Sequence, residues 1–217
     1  MVKPRSSTKQ LKRAAPAPDL ATRDKILDGA HTVFLRKGTA NSRTQEIADE
    51  AGVNKALVHY YFGTKAELAD AIFARALGTI APRIFGILGD PARTIDQKVR
   101  DVVREQIAFY SARPYLAGYL LSEMYVEPDR VARIIARQGR IPLDVLRRQL
   151  REAARAGTMR PISAEQFVVN LMGLLIFPFA IRPALGPLLS LDDTRWPAFL
   201  EERRRLLPDF FLAGLRP

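Results

Sequence analysis

From Asp19 onward the apolar positions follow a helical rhythm. Leu20, Ile26, Leu27, Ala30, Val33 and Phe34 recur at helical spacing up to Gly38, with Asp19 placed to cap the N-terminus of a helix and Gly38 placed to end it. Two short helical segments follow, at residues 43–51 and 55–61, separated by Gly52-Val53-Asn54. Thr64 then caps a longer helix that opens Lys65-Ala66-Glu67-Leu68 and runs to Gly78 or beyond. Breaks at Pro91, Pro114, Pro128, residues 157–161 and Pro197 divide the rest into helices over residues 91–112, 114–125, 127–156, 163–184 and 197–214. Beyond Gly78 there is no alternating β-branched run and no hairpin dipeptide, so no sheet is expected. The pattern predicts an all-α fold of about nine helices. Residues 1–19 read as a disordered basic arm, residues 20–68 as a small helix-turn-helix domain, and residues 69–217 as a larger helical domain.

The segment TANSRTQEIADEAGVNKALVHYYFGTKAEL, residues 39–68, is the most informative stretch. Ile47, Ala48, Ala51, Val53, Val58 and Phe62 are spaced so that two short helices share one small core, and Gly52 permits the tight bend between them. The opposite face of the second helix then carries Lys55, Ala56, His59, Tyr60 and Tyr61: a cation, a small residue that allows close approach, and hydrogen-bonding aromatics. Such a face suits a major groove, where phosphates border an array of base-edge donors, acceptors and methyl groups. Asn54 caps this helix and points its N-terminus at phosphate. The plain alternative is a helix pair of ordinary polarity, with Tyr60 and Tyr61 packed under the following helix.

Charge sharpens this picture. With 34 Lys and Arg against 23 Asp and Glu, the net charge of +11 favours partners that are negative: nucleic acid, an anionic membrane or an acidic ligand. Membrane insertion is disfavoured, because the longest apolar run, residues 167–181, is broken by Asn170, Gly173 and Pro178 and falls short of the ~20 residues of a span. The absence of cysteine removes disulfides, thiolate nucleophiles and Cys-based zinc sites, and it fits a reducing interior. Residues 1–22 lack the apolar core of a secretory signal, so a cytoplasmic location is expected. Lys3, Arg5, Lys9, Lys12 and Arg13 make the arm either an electrostatic aid to DNA binding or an inert solubilising tail.

Residues 26–68 resemble the N-terminal domain of the TetR family of regulators, with IADEAGVNKALVHYYFGTKAEL matching nearly position for position. The resemblance implies a homodimeric transcriptional repressor. It would read a partly palindromic double-stranded DNA operator and be released by a small-molecule effector bound in a divergent C-terminal domain, which also hosts the dimer interface. Carried over residue by residue, it places Thr44 and Gln45 near the backbone and a base edge. Lys55, Ala56, His59 and Tyr60 fall on the recognition helix, Tyr61 on a position that grips phosphate, and Lys65 on a phosphate-binding lysine. Arg43 stands where the family often has Thr or Ser, and it is included among the DNA-facing candidates; capping is then expected from Ser42 paired with Gln45 in a capping box. His59 stands where tyrosine is commonest.

For the C-terminal domain the resemblance puts the effector pocket among the middle helices, and the aromatic residues there point to an apolar or aromatic effector lined by Phe109, Tyr119 and Phe177. Neither His nor Cys occurs beyond residue 59, which argues against a soft or borderline metal effector, and no cofactor is expected. Gly173, Pro178 and Pro183 are placed to kink the helix that bears them. Arg130, Arg133, Arg137, Arg140, Arg147, Arg148, Arg151 and Arg155 form a basic stripe on one expected helix, either a solvated face or a site for an anionic effector or partner. The last two helices, with Trp196, Phe199, Leu206, Phe210 and Phe211, carry broad apolar faces that a second chain would cover in a four-helix interface.

An enzyme is not expected: there is no Gly-rich phosphate loop, no metal-ligand spacing, and no nucleophile beside His31 or His59. The remaining rival is a TetR-like architectural or cell-division factor that binds DNA without control by a small ligand.

Overall fold

The computed structural model describes residues 19–113 and 115–217. The basic arm therefore lies outside the described residues apart from Asp19, as does the break expected at Pro114. Among the described residues there are eleven helices and no strand: α1 (Leu20–Asn41), α2 (Thr44–Ala51), α3 (Lys55–Phe62), α4 (Lys65–Gly89), α5 (Ile95–Ser111), α6 (Leu116–Val126), α7 (Pro128–Arg137), α8 (Leu143–Arg155), α9 (Ala164–Ala180), α10 (Arg182–Leu189) and α11 (Trp196–Ala213). The all-α expectation holds.

Two helices more than expected arise from breakers whose weight the pattern hid. The single helix expected over residues 127–156 is two helices, because Gly139 takes a φ of 123° and Pro142 then starts α8 afresh. The arginine stripe is therefore divided between α7 and α8. The helix expected over residues 163–184 likewise ends at Ala180, and α10 leaves it at 74°, with Pro183 in the first turn of the new helix, where its missing N–H costs nothing. Buried Pro178 stays inside α9.

The N-terminal helix starts and stops as its residues dictate. Asp19 accepts from the Ala21 N–H at 3.0 Å and from the Thr22 hydroxyl at 2.7 Å, and Gly38, at φ 73°, interrupts the helix one turn before Asn41. Leu20, at its first turn, is exposed. Ile26, Leu27, Ala30, Val33 and Phe34 are buried with Ile47, Ala48, Val58 and Phe62, so the apolar stripe of α1 forms the floor on which α2 and α3 sit.

Helix α4 joins this unit to the rest. At 25 residues it is about 37 Å long. It packs on α1 and α3 near one end and on α5, α7 and α8 beyond. By length and composition it could cross a membrane, but Leu68, Ile72, Phe73, Ile84 and Leu88 on it are buried in the helical core. Thr64 caps it as expected: its hydroxyl accepts from the Glu67 N–H at 3.1 Å while the Glu67 carboxylate accepts from the Thr64 N–H at 2.8 Å.

A polar latch holds α4, α5 and α8 together. Lys98 is fully buried, and its ammonium donates to the Leu88 carbonyl and to the Gln149 Oε1, each at 2.6 Å. Gln149 in turn donates to the carbonyls of Pro91 and Arg93. Burial pulls the Lys98 pKa below its ordinary value.

Candidate nucleic-acid interface and central cavity

The turn between α2 and α3 is made by Gly52 in the left-handed region, φ 64° and ψ 36°, which a residue with a Cβ adopts only at a cost. Gly29 of α1 makes the packing beneath it possible, since a Cβ there would lie 2.8 Å from the Ala51 backbone nitrogen. Asn54 accepts from the Ala56 N–H at 2.8 Å and fixes the first turn of α3. Val58 and Phe62 then point into the core, and Arg23 of α1 lies over the Phe62 ring at 5.2 Å.

The start of α2 corrects one expectation. Ser42 is buried, and its hydroxyl donates backward to the Gly38 carbonyl at 2.5 Å instead of capping α2. The N-cap position falls to Arg43, whose backbone N–H donates to the Glu46 carboxylate at 3.1 Å. Gln45 takes no part in a capping box and donates along its own helix to Asp49 at 2.8 Å. The acids of α2 are drawn toward α1, with Glu46 bound to Lys37 at 2.6 Å and Glu50 to Arg36 at 2.9 Å. The Lys37 contact, followed by the Arg43 N–H, holds the Glu46 carboxyl below the usual carboxylate range.

The exposed side of the motif holds Arg43, Gln45, Lys55, Ala56, His59 and Tyr60, with Thr44 half-buried beside them. His59 Nδ1 lies 2.9 Å from the Gly63 carbonyl, so its proton sits on that nitrogen and the ring is braced across the end of α3. Two candidates are tied inward. The Tyr61 hydroxyl accepts from the Asp19 N–H at 2.9 Å, and Lys65 donates to the carbonyls of Ala40 and Ser42 at 3.0 and 2.8 Å. Both side chains thus clamp α1 to the later helices, a structural role of the kind the plain alternative allowed for Tyr61 but not one expected of Lys65.

A second feature lies deeper. A cavity of about 190 Å³ lies between α4, α5, α6, α7 and α9, open to solvent near exposed Leu121 and Ile141, with Ile84, Leu120, Met124 and Met172 typical of its walls and Gln106 and Tyr110 its polar groups. The three expected lining residues sit elsewhere. Phe109 is buried under Arg113, whose guanidinium lies 4.6 Å from its ring; Tyr119 is buried against Phe34, with its hydroxyl 3.3 Å from that of Thr39; Phe177 is exposed. In each case the immediate neighbour, Tyr110, Leu120 or Ile176, faces the cavity. The missed signal is on α5: Ile95, Val99, Val102, Val103 and Ile107 define an inward stripe, and Lys98 and Gln106 fall on it.

The arginine stripe also divides by function. Arg130 is turned inward to Asp70 of α4 and Glu123 of α6, and Arg147 pairs with Asp144 and Glu165. Arg133, Arg137, Arg140, Arg148, Arg151 and Arg155 are exposed.

Residues 26–72 match the family model for bacterial regulatory proteins of the tetR family. Among curated relatives, the HTH-type transcriptional regulator BetI of Brucella abortus is 27% identical over 169 residues, 76% of this chain and 80% of the relative. The HTH-type transcriptional repressor BdcR of Escherichia coli is 28% identical over 131 residues, 60% of this chain and 66% of the relative. Among solved structures, the fatty acid degradation regulator FadR of Bacillus halodurans superposes with a TM-score of 0.66 at 19% identity, covering 94% of this chain and 99% of its own. The TetR family regulator PfmR of Thermus thermophilus gives 0.65 at 22% identity, covering 88% and 99%; at such identities the structures speak for the fold. The match over residues 26–72 makes the N-terminal domain one of the tetR family of bacterial regulatory proteins, and the chain as a whole shares the fold of the solved regulators.

Proposed function

We propose that this protein is a homodimeric, sequence-specific transcriptional repressor whose α3 enters the major groove of an operator and whose grip is released by a small molecule held in the central cavity. The observation that carries the reading is the division of α3 into a buried edge, Val58 and Phe62, and an exposed one, Lys55, Ala56, His59 and Tyr60, on a helix fixed at both ends. A rigid helix with that surface is what base-edge readout needs.

Helix α6 supports the release mechanism. Leu120 and Met124 are cavity wall, while Tyr119 on the same helix stacks on Phe34 and meets Thr39 at the end of α1. Glu123 and Arg130 bind the same region to Asp70 of α4. A ligand that displaces α6 therefore pushes on both α1 and α4, and α4 sets the separation of the two recognition helices in a dimer. Two helices held about 34–36 Å apart dock one turn apart on DNA, and a small change in spacing prevents both from docking.

The apolar face of α9 and α11 supports dimerisation. Val169 and Phe177 on α9 and Leu206 and Phe210 on α11 are exposed around two adjoining grooves that share Leu174 and Arg203. Trp196 and Phe211, which the sequence assigned to the same face, are buried within the chain.

A footprint on the DNA flanking the gene tests the whole reading. The expected result is a protected, partly palindromic site, lost on substitution of Tyr60 by alanine, with Lys55→Ala weakening binding at all sequences and lowering the salt slope by about one. Uniform protection with no site, or a site indifferent to α3, would overturn it.

A further inference from the structure

The central cavity is apolar almost throughout, and no charged side chain lines it. Gln106 and Tyr110 interrupt that lining, one turn apart on the same face of α5. Gln106 is only 6% exposed. Its Nε2 donates to the Met172 sulfur at 3.5 Å, and its Oε1 has no hydrogen-bond partner. An acceptor buried in this way has lost its water and gained nothing. Burial also pushes the Tyr110 pKa up to about 12, so the phenol stays protonated at neutral pH.

These facts discriminate among ligands. A carboxylate or phosphate would enter apolar surroundings with no cation to meet it, at a prohibitive desolvation cost. A molecule without a donor would leave Oε1 as unsatisfied as before. The volume of about 190 Å³ lies below that of pockets for drug-sized ligands, roughly 300 Å³ and upward, and suits a molecule on the order of ten non-hydrogen atoms.

We infer that the cavity admits an uncharged, mainly aliphatic molecule of this size bearing one hydroxyl or N–H group, toward which the Gln106 amide turns its Oε1 to accept, with Tyr110 as the other polar residue of the lining. The inference rests on reading the cavity as the effector site and names the class of effector that it selects.

Isothermal titration of the full chain, free of DNA, with octan-1-ol, heptyl methyl ether and octanoate tests the class directly. The alcohol donates, the ether only accepts, and the acid is ionised at neutral pH. The alcohol is expected to bind about three- to tenfold tighter than the ether, the worth of one hydrogen bond, with octanoate weaker than both. Gln106→Leu should bring the alcohol and ether to equal affinity and raise the unfolding midpoint of the empty protein, because the orphaned acceptor is gone. Octanoate binding as tightly as the alcohol, or an alcohol preference that survives in Gln106→Leu, would overturn the inference. Release of operator DNA is measured separately. Alcohol binding without release would sustain the ligand class and sink the effector reading, whereas release by octanoate alone would do the reverse.

Discussion

Tyr61 sends its hydroxyl to the backbone N–H of Asp19, 42 residues earlier, while Tyr60 beside it stays on the exposed face with its ring edge-on to that of Tyr61, 5.2 Å between centroids. Adjacent residues of one type thus do different work, because successive positions on a helix are about 100° apart. Tyr61→Phe is expected to lower unfolding stability by about 0.5–1.5 kcal/mol, one net hydrogen bond, and to leave the salt dependence of DNA binding unchanged. A changed salt slope with unchanged stability would instead assign Tyr61 to phosphate. His31 offers a second test at this scale. Burial, then repulsion from Arg75 of α4, holds its pKa below 6.5; Asp28 of its own helix opposes this, and Arg113 of the α5–α6 turn adds to it. The unfolded chain therefore takes up a proton at a higher pH than the folded chain does. The contribution of His31 to stability is complete above 6.5 and is lost as pH falls through the lower, folded pKa. Melting curves from about pH 7.5 to about pH 5.5 should fall for the natural chain and flatten in His31→Gln; equal slopes would show that the ring does not titrate as its surroundings dictate.

Elements were legible where their cause was local. Asp19, Asn54 and Thr64 cap the helices that they precede, and Gly52 turns α2 into α3, because each acts through its own side chain or φ on neighbouring backbone. The same logic failed at Ser42, whose hydroxyl had a competing acceptor in the Gly38 carbonyl, freed by the break in α1. It failed again over residues 127–156, where arginine periodicity ran unbroken across a backbone that Gly139 and Pro142 divide. The cavity lining was not legible residue by residue: Phe109, Tyr119 and Phe177 stand on α5, α6 and α9, which border it, but which neighbour faces inward depends on how those helices are rotated, and that is set by tertiary packing. Lys98 belongs to the same class, since charge alone marks it for solvent. With Leu88 and Gln149 as its partners, Lys98→Ala leaves two buried acceptors unpaired and should cost about 2–4 kcal/mol in denaturant unfolding. A cost under about 0.5 kcal/mol would mean that water replaces the ammonium and that the latch holds nothing.

Across the whole molecule, the proposed function has the charge of +11 and the apolar α9–α11 face act on different steps of one event. In that reading charge draws the chain to DNA without choosing a sequence, and choice is assigned to α3, whose few side chains would reach only half of a palindromic site. One half-site is a weak hold, and linking two multiplies affinity by on the order of 10²–10⁴ if the geometry allows both to bind at once. A face that joins two copies is on this reading as necessary to recognition as the helix proposed to read the bases. Phe210, 70% exposed on that face, is the residue whose replacement tests this. Phe210→Glu puts an unpaired carboxylate on the apolar face of each copy, which the expected interface would have to bury at a cost. Sedimentation at micromolar concentration should then show a monomer with its helical content intact, and operator affinity should fall at least about a hundredfold while binding to random DNA changes little. A dimer that persists would move the interface away from α11, and a monomer that still binds its operator tightly would mean that one copy reads the site alone.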